Sequence, residues 1–161
     1  FWKAEHPLTD EQRAHGKRLL KLAAVLQYCL PGVPSVYYGD EAGMEGYGDP
    51  FCRRPFPWDD INGDLLAHYR KLGNIRKSHA VFRDGLFRLV ALTPAHVIYE
   101  RLPLSERDEK IVVAVVREGK LGLRFSSCVT ELISDNYGDE FTLSSGESAY
   151  FACDDGTEIT L

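Results

Sequence analysis

PGVPSVYYGDEAGMEGYGDPFCRRPFPW, residues 31–58, decides how the rest of the chain is read. It opens on a short apolar run, Val33 to Tyr38, framed by Pro31-Gly32 and Gly39. That length and those flanks predict a strand buried on both faces and too short for a helix. A loop follows, punctuated by Gly39, Gly43, Gly46 and Gly48 and stiffened by Pro50, Pro55 and Pro57. Among them stand Tyr47, Phe51, Phe56, Trp58, Asp40, Glu41, Asp49, Arg53 and Arg54. A long loop so rich in aromatic and charged residues reads as part of a binding surface.

Working outward, Thr9 and Gln12 have capping-box spacing, with Asp10 and Glu11 where a helix dipole favours negative charge. Leu19, Leu22, Ala23, Leu26 and Leu30 recur on one face, with Arg13, Lys17, Arg18 and Lys21 mainly on the other. This predicts an amphipathic helix from about Thr9 to Cys29, ended by Pro31-Gly32. On the other side of the loop, residues 59–64 (DDINGD) read as a turn, with Asn62 or Asp64 capping a second helix that runs to about Ser78. Leu65, Leu66, Tyr69, Leu72 and Ile75 give it an apolar face, and Arg70, Lys71, Arg76 and Lys77 a solvated one. Asp60, Asn62 and Asp64 do not make a calcium loop, because Leu65 and Lys71 stand where the required Gly and Glu would be.

After His79 the period changes from helical to alternating. Residues 87–92, 97–102, 111–116, 121–125, 129–133, 141–143 and 149–152 are short β-like runs. Turn signals separate them at Thr93-Pro94, residues 105–108, residues 118–120, residues 136–139 and residues 144–146. Such hairpin-sized connections predict an antiparallel sandwich, with residues 111–116, apolar on both faces, as a central strand. The chain therefore divides into an α/β portion over 1–79 and an all-β portion over 80–161. No linker separates them, so the two are expected to pack together.

With 161 residues, 44% hydrophobic and 27% charged, the chain has the composition of an ordinary globular protein. A net charge of −5 argues against a nucleic-acid or anionic-membrane surface, and no apolar run approaches bilayer-spanning length. Cys29, Cys52, Cys128 and Cys153 lack metal-site spacing and read as free thiols of a reducing compartment. The start at Phe1-Trp2 reads as a cut from something longer.

The pattern PGVPSVYYGDE followed by GMxGxGDPxCRRPFPWD resembles the end of the catalytic barrel in the alpha-amylase family, glycoside hydrolase family 13. It is most similar to the neopullulanase, cyclomaltodextrinase and maltogenic amylase branch, over about ten identities at fixed spacing. The resemblance implies the last part of a (β/α)8 TIM barrel (helix, eighth strand, long loop, helix) followed by an antiparallel β-sandwich domain. In such barrels the active face is built from loops leaving the carboxyl ends of the strands, and residues 39–63 would be the eighth.

Retaining glycoside hydrolysis requires two carboxylates about 5 to 5.5 Å apart across the scissile bond. Asp40 and Glu41 cannot form such a pair, because neighbours on an extended segment point to opposite sides. The resemblance implies that the nucleophile, the general acid and the stabilising Asp come from earlier strands, so no catalytic residue is expected here. His6 does not match the family's His-Asp pair, because Pro7 follows it. Arg53 matches the family's Arg in the pattern Arg-x-Pro-x-x-Trp, which implies contact with sugar hydroxyls or carboxylates; alternatively, Arg53 and Arg54 pair with Asp40, Glu41 or Asp49 to hold the loop. Tyr38 and Trp58 offer faces to a sugar, or else Tyr37 and Tyr38 fill the barrel and Trp58 seals loop to helix. Asp49 is a turn initiator and a subsite contact, while Asp40, Glu41 and Arg54 are expected to anchor the loop. Losing Glu41 would leave an uncompensated Arg.

The resemblance thus implies part of a retaining hydrolase of starch-derived maltodextrins or cyclodextrins, inactive in isolation. Alternatives are an α-glucosidase or oligo-1,6-glucosidase, or a non-catalytic carbohydrate-binding or transporter-subunit relative. An α-glucan oligosaccharide is the expected partner, and no cofactor is expected, although calcium is common in the wider family. A cytoplasmic location is expected, as is self-association through the unpaired edges of Val33 to Tyr38.

Overall fold

The computed structural model describes residues 8–105 and 109–161. Helix α1 runs Asp10–Cys29 from a full capping box, in which Thr9 accepts from the Gln12 amide while the Gln12 side chain returns to the Thr9 amide. Helix α2 runs Gly63–Ser78 with Asn62 as its cap, the side chain accepting from the Leu65 N–H at 3.0 Å. A further short helix, α3 (Val81–Asp84), carries buried Val81 and Phe82 and was not foreseen, because four residues give no period to read.

Seven strands follow in one antiparallel sheet: β1 (Leu86–Leu92), β2 (His96–Leu102), β3 (Lys110–Val116), β4 (Lys120–Glu131), β5 (Asn136–Ser144), β6 (Ser148–Cys153) and β7 (Ile159–Thr160). Their order is β1-β2-β3-β6-β4-β5, with β7 beside β4. Strand β3 is central as expected, and its alternate residues serve two cores. Ile111, Val113 and Val115 face the helices; Val112, Ala114 and Val116 face Leu121, Leu123, Phe125 and Phe141 across the second layer. The sheet folds over along β4, whose pairing with β5 shifts register between Arg124 and Val129, and this closes the two layers.

Two expectations for this half change in detail. Residues 121–125 and 129–133 form one strand with an irregularity rather than two strands. Residues 136–139 open β5 instead of making a turn, the reversal lying just before them at Asp135, whose φ is 62°. The turn read at residues 105–108 falls mostly outside the described residues.

The helices pack on the sheet through one continuous core of Leu22, Val25, Cys29, Tyr69, Leu72, Ile75, Phe82, Tyr99, Ile111, Val113, Tyr150 and Ala152. Polar bonds cross the same seam: the Tyr150 hydroxyl donates to Val25 O at 2.5 Å, Cys29 Sγ meets the Tyr99 hydroxyl, and Arg101 donates to Cys29 O at 2.7 Å. The α1 stripe is not the one expected, since Leu19 and Leu30 are exposed and Leu22, Val25 and Cys29 face the sheet. Arg76 also departs from the solvated face assigned to it. It donates to Tyr28 O and Gly32 O, each at 2.6 Å, satisfying carbonyls at the end of α1.

Residues 33–37 carry no regular secondary structure and Tyr38 begins a turn, so the expected strand is absent, and this corrects the sequence reading. A strand exists through its ladder, and no segment among the described residues pairs with it. Val33 is 92% exposed.

Candidate functional site

The loop after Tyr38 is built on close backbone approach. Gly39 and Gly43 have φ of 94° and 76°, a region that favours glycine. A Cβ on Gly43 would meet Leu65 Cδ1 at 3.0 Å and Asn62 Cβ at 3.1 Å, so the loop lies against the start of α2. The Asn62 N–H donates to Ala42 O at 2.9 Å and fixes that contact. Farther on, a cis Asp49-Pro50 bond leads into a 3-10 turn, Phe51–Arg53.

The acids and bases of the loop sort into three groups. Asp49 and Arg53 pair with each other, Arg53 Nε to Asp49 Oδ1 at 2.8 Å, with both side chains largely exposed. Glu41 accepts the Gly39 N–H at 3.0 Å, a local backbone anchor; the expectation that it compensates an Arg is corrected, since no ion pair joins it to one among the described residues. Burial, and then the neighbouring Glu41, push the Asp40 carboxyl above its ordinary range.

Arg54 pairs with none of the three acids expected of it among the described residues. Its guanidinium donates to the backbone carbonyl of Glu45 and lies 5.6 Å over the Tyr47 ring. Glu45, which sequence reasoning passed over, joins the loop to helix α1. Its carboxylate receives Arg13 of α1 and the Tyr47 hydroxyl, the latter at 2.8 Å, and the Arg13 hydrogen bond holds it below the usual carboxylate range. Its tie to α1 spans 32 residues, which no local pattern could have found.

The aromatic residues are more open than the packing alternative required. Trp58 is 78% exposed, its ring 4.6 Å from that of Phe56, so it does not seal the loop to a helix. Tyr37 is half exposed and stacks at 4.9 Å on Tyr38, which corrects the reading that it fills an interior. The Tyr38 hydroxyl donates to Arg54 O at 3.1 Å.

A cleft of about 940 Å³ opens between α1 and the loop, lined by Arg13, Lys17, Met44, Glu45, Tyr47 and Arg54 among others. Arg54, expected as an anchor, reaches this cleft; Asp49, Arg53, Tyr38 and Trp58 do not line it. Among the described residues no group of three or more His, Cys, Asp or Glu side chains is placed to hold a metal ion, and no helix is long and apolar enough to cross a membrane. His6 lies outside the described residues.

No family model matches the chain. Among curated proteins it is 36% identical over 108 residues to a cyclomaltodextrinase of Bacillus sp, covering 66% of this chain and 19% of the relative. It is 33% identical over 125 residues to neopullulanase 2 of Thermoactinomyces vulgaris, covering 68% and 21%. Among solved structures, cyclic alpha-maltosyl-(1-->6)-maltose hydrolase from Arthrobacter globiformis superposes with a TM-score of 0.71 at 28% identity, over 88% of this chain and 31% of that one. The chain thus spans about a fifth of the length of these two curated relatives. The likeness fits the end of a barrel followed by a β-sandwich.

Proposed function

Because this chain belongs to the alpha-amylase family, glycoside hydrolase family 13, we propose that it forms one wall of the active site of a retaining α-glucan hydrolase of the neopullulanase or cyclomaltodextrinase kind. The observation that carries this reading is the Asp49–Arg53 pair, held at 2.8 Å on an exposed turn. Carboxylate and guanidinium together present acceptors and a planar set of donors, which suits the vicinal hydroxyls of a sugar. Trp58, exposed on the same loop, adds an apolar face for a pyranose ring. Tyr38 contributes through its ring, since its hydroxyl is already committed to Arg54 O. Asp40, Glu41 and Arg54 hold the loop rather than the sugar.

In this reading, residues 1–79 close the barrel and residues 80–161 are the trailing sandwich. The catalytic acids come from elsewhere in the enzyme, so the chain alone turns over no maltodextrin. The same reading places the protein in the reducing cytoplasm, in keeping with four free cysteines. It also predicts self-association of the isolated chain through exposed Val33, Tyr37 and Tyr38.

Titration of the ¹⁵N-labelled chain with maltoheptaose, followed by NMR, tests the proposal. The Arg53 Nε–H and Trp58 indole N–H signals are expected to shift with millimolar affinity, since a single loop supplies few of the contacts of a closed site. Sugar-induced shifts confined to other surfaces, or hydrolysis by the pure chain, would overturn it.

A further inference from the structure

Arg53 has a partner but little support of its own. Its ion pair with Asp49 lies on the surface, where such pairs hold side chains only weakly. The turn that carries it is short, closed by Arg53 N–H to Pro50 O at 3.0 Å. One attachment of this turn to the rest of the loop comes through its neighbour. Arg54 is gripped at both ends: its carbonyl accepts the Tyr38 hydroxyl, while its guanidinium donates to Glu45 O and stacks on Tyr47.

The grip ends at a single carboxylate. Glu45 Oε1 receives the Arg13 Nε–H from the first turns of α1, and Oε2 receives the Tyr47 hydroxyl that orients the ring under Arg54. The Glu45 side chain is only 19% exposed, so these charge-assisted bonds are partly sheltered from water. A continuous set of contacts therefore runs from α1 through Glu45 and Tyr47 to Arg54, one residue from the proposed sugar-contacting side chain.

We propose that Glu45 is a positioning residue, which ties the turn bearing Asp49 and Arg53 to helix α1 and so presents that pair to an α-glucan. The inference rests on the functional reading above for its ligand, but its geometric content can be tested without sugar. Functional side chains keep their placement through such supporting bonds. Without the Glu45 carboxylate, Tyr47 and Arg54 lose their fixed orientation and the turn samples other placements.

Cys52 sits inside the turn, half-buried, its Sγ 3.9 Å from Asp49 Oδ1, while Cys29 and Cys153 are buried. In a Cys128→Ser background it is therefore the reporter thiol for dithionitrobenzoate. Glu45→Ala is expected to raise the Cys52 labelling rate several-fold while the thermal midpoint and the protection of Cys29 and Cys153 stay as they were. Glu45→Gln keeps an acceptor oxygen for Arg13, and is expected to restore a rate near that of the unsubstituted chain. The maltoheptaose affinity read at Arg53 should fall several-fold in Glu45→Ala and recover in Glu45→Gln.

An unchanged Cys52 rate in Glu45→Ala would overturn the inference, and so would a faster rate accompanied by unaltered sugar affinity. Absence of any Arg53 shift in the unsubstituted chain would instead overturn the functional reading, and the thiol rates alone would then decide whether Glu45 holds the turn. Should Glu45→Ala also expose Cys29 and Cys153, the residue is a general stabiliser and the positioning role is refuted.

Discussion

Replacing Arg101 by Met should be among the most damaging single changes in this protein. The Arg101 side chain is 1% exposed at the seam between helices and sheet. Its NH1 donates to Cys29 O at 2.7 Å and Phe82 O at 3.3 Å, its NH2 to Gly85 O at 2.8 Å and its Nε to Leu86 O at 3.3 Å. One guanidinium thus serves the end of α1, the α3 turn and the start of β1, and no carboxylate among the described residues is its partner. Burial lowers its pKa from the ordinary value, but the group remains a cation at neutral pH.

Met keeps the apolar stem and deletes every donor. The two short bonds are each worth about 1.5–3 kcal/mol as charge-assisted bonds, and the two long ones little. Relief from burying a cation offsets part of that sum, leaving a net loss of about 2–4 kcal/mol. Against a typical total of roughly 5–15 kcal/mol this is a large fraction. Urea unfolding, followed by far-UV circular dichroism and tryptophan fluorescence, would measure it. A loss under about 1 kcal/mol would show that the carbonyls find other partners, and would refute the view that Arg101 joins the layers. Coincident transitions by the two probes are expected, because helices and sheet share one core; separated transitions would refute that.

The thiols should divide by burial, which pushes Cys29 up to about 11 and Cys153 up to about 12. Only Cys52 and Cys128 should label in the native protein at neutral pH, and reaction at all four positions without denaturant would contradict the packing. His68 is held neutral by burial, with its ring nitrogen Nε2 3.2 Å from Lys21 O. Its folded pKa lies below the ordinary 6.5, so its contribution is fully present above that value and is lost as pH falls below it. His68→Gln should therefore flatten the stability profile below the ordinary histidine value of 6.5, and an unchanged slope there would refute the assignment. Asn62→Ala should cost about 1 kcal/mol in the same urea assay through loss of the α2 cap, and no loss would show that water replaces it.

Most of the architecture could be read from local signals. The capping box at Thr9, the Asn62 cap and the two-sided apolar run of β3 each depend on residues a few positions apart, where side-chain spacing alone specifies structure. What escaped depends on long-range partners. Residues 33–38 have strand composition but no neighbour among the described residues to pair with, and composition cannot supply one. The two β-like runs join into β4 because β5 pairs on both sides of Ser126 to Cys128, up to Arg124 and again from Val129, a decision made in the partner strand. In the site, Asp49 and Arg53 lie at i and i+4, and their pairing was among the readings left open. Glu45 was invisible because its partner Arg13 lies on another element.

The misreading of α1 is informative about the rest of the molecule. The sequence shows an apolar set at Leu19, Leu22, Ala23, Leu26 and Leu30, too broad to be one narrow stripe. The structure buries the Leu22, Val25 and Cys29 side against the sheet, and leaves Leu19 45% and Leu30 40% exposed. A surface helix needs one apolar face, while a helix lying between two layers needs two. After α1 in the chain come Val33, Tyr37 and Tyr38, also exposed and also apolar. On the proposed function this adjacency has a direct meaning: it is the side on which a barrel's strands would lie, with residues 33–38 gaining their ladder there. The sandwich core, by contrast, is closed within the chain, from Ile98 and Val112 to Phe125, Phe141 and Phe151. The asymmetry between one satisfied core and one open apolar face is what separates the wall of a larger site from a self-sufficient sugar-binding module. A clean monomer in light scattering, with Tyr37 and Tyr38 left accessible, would remove that argument.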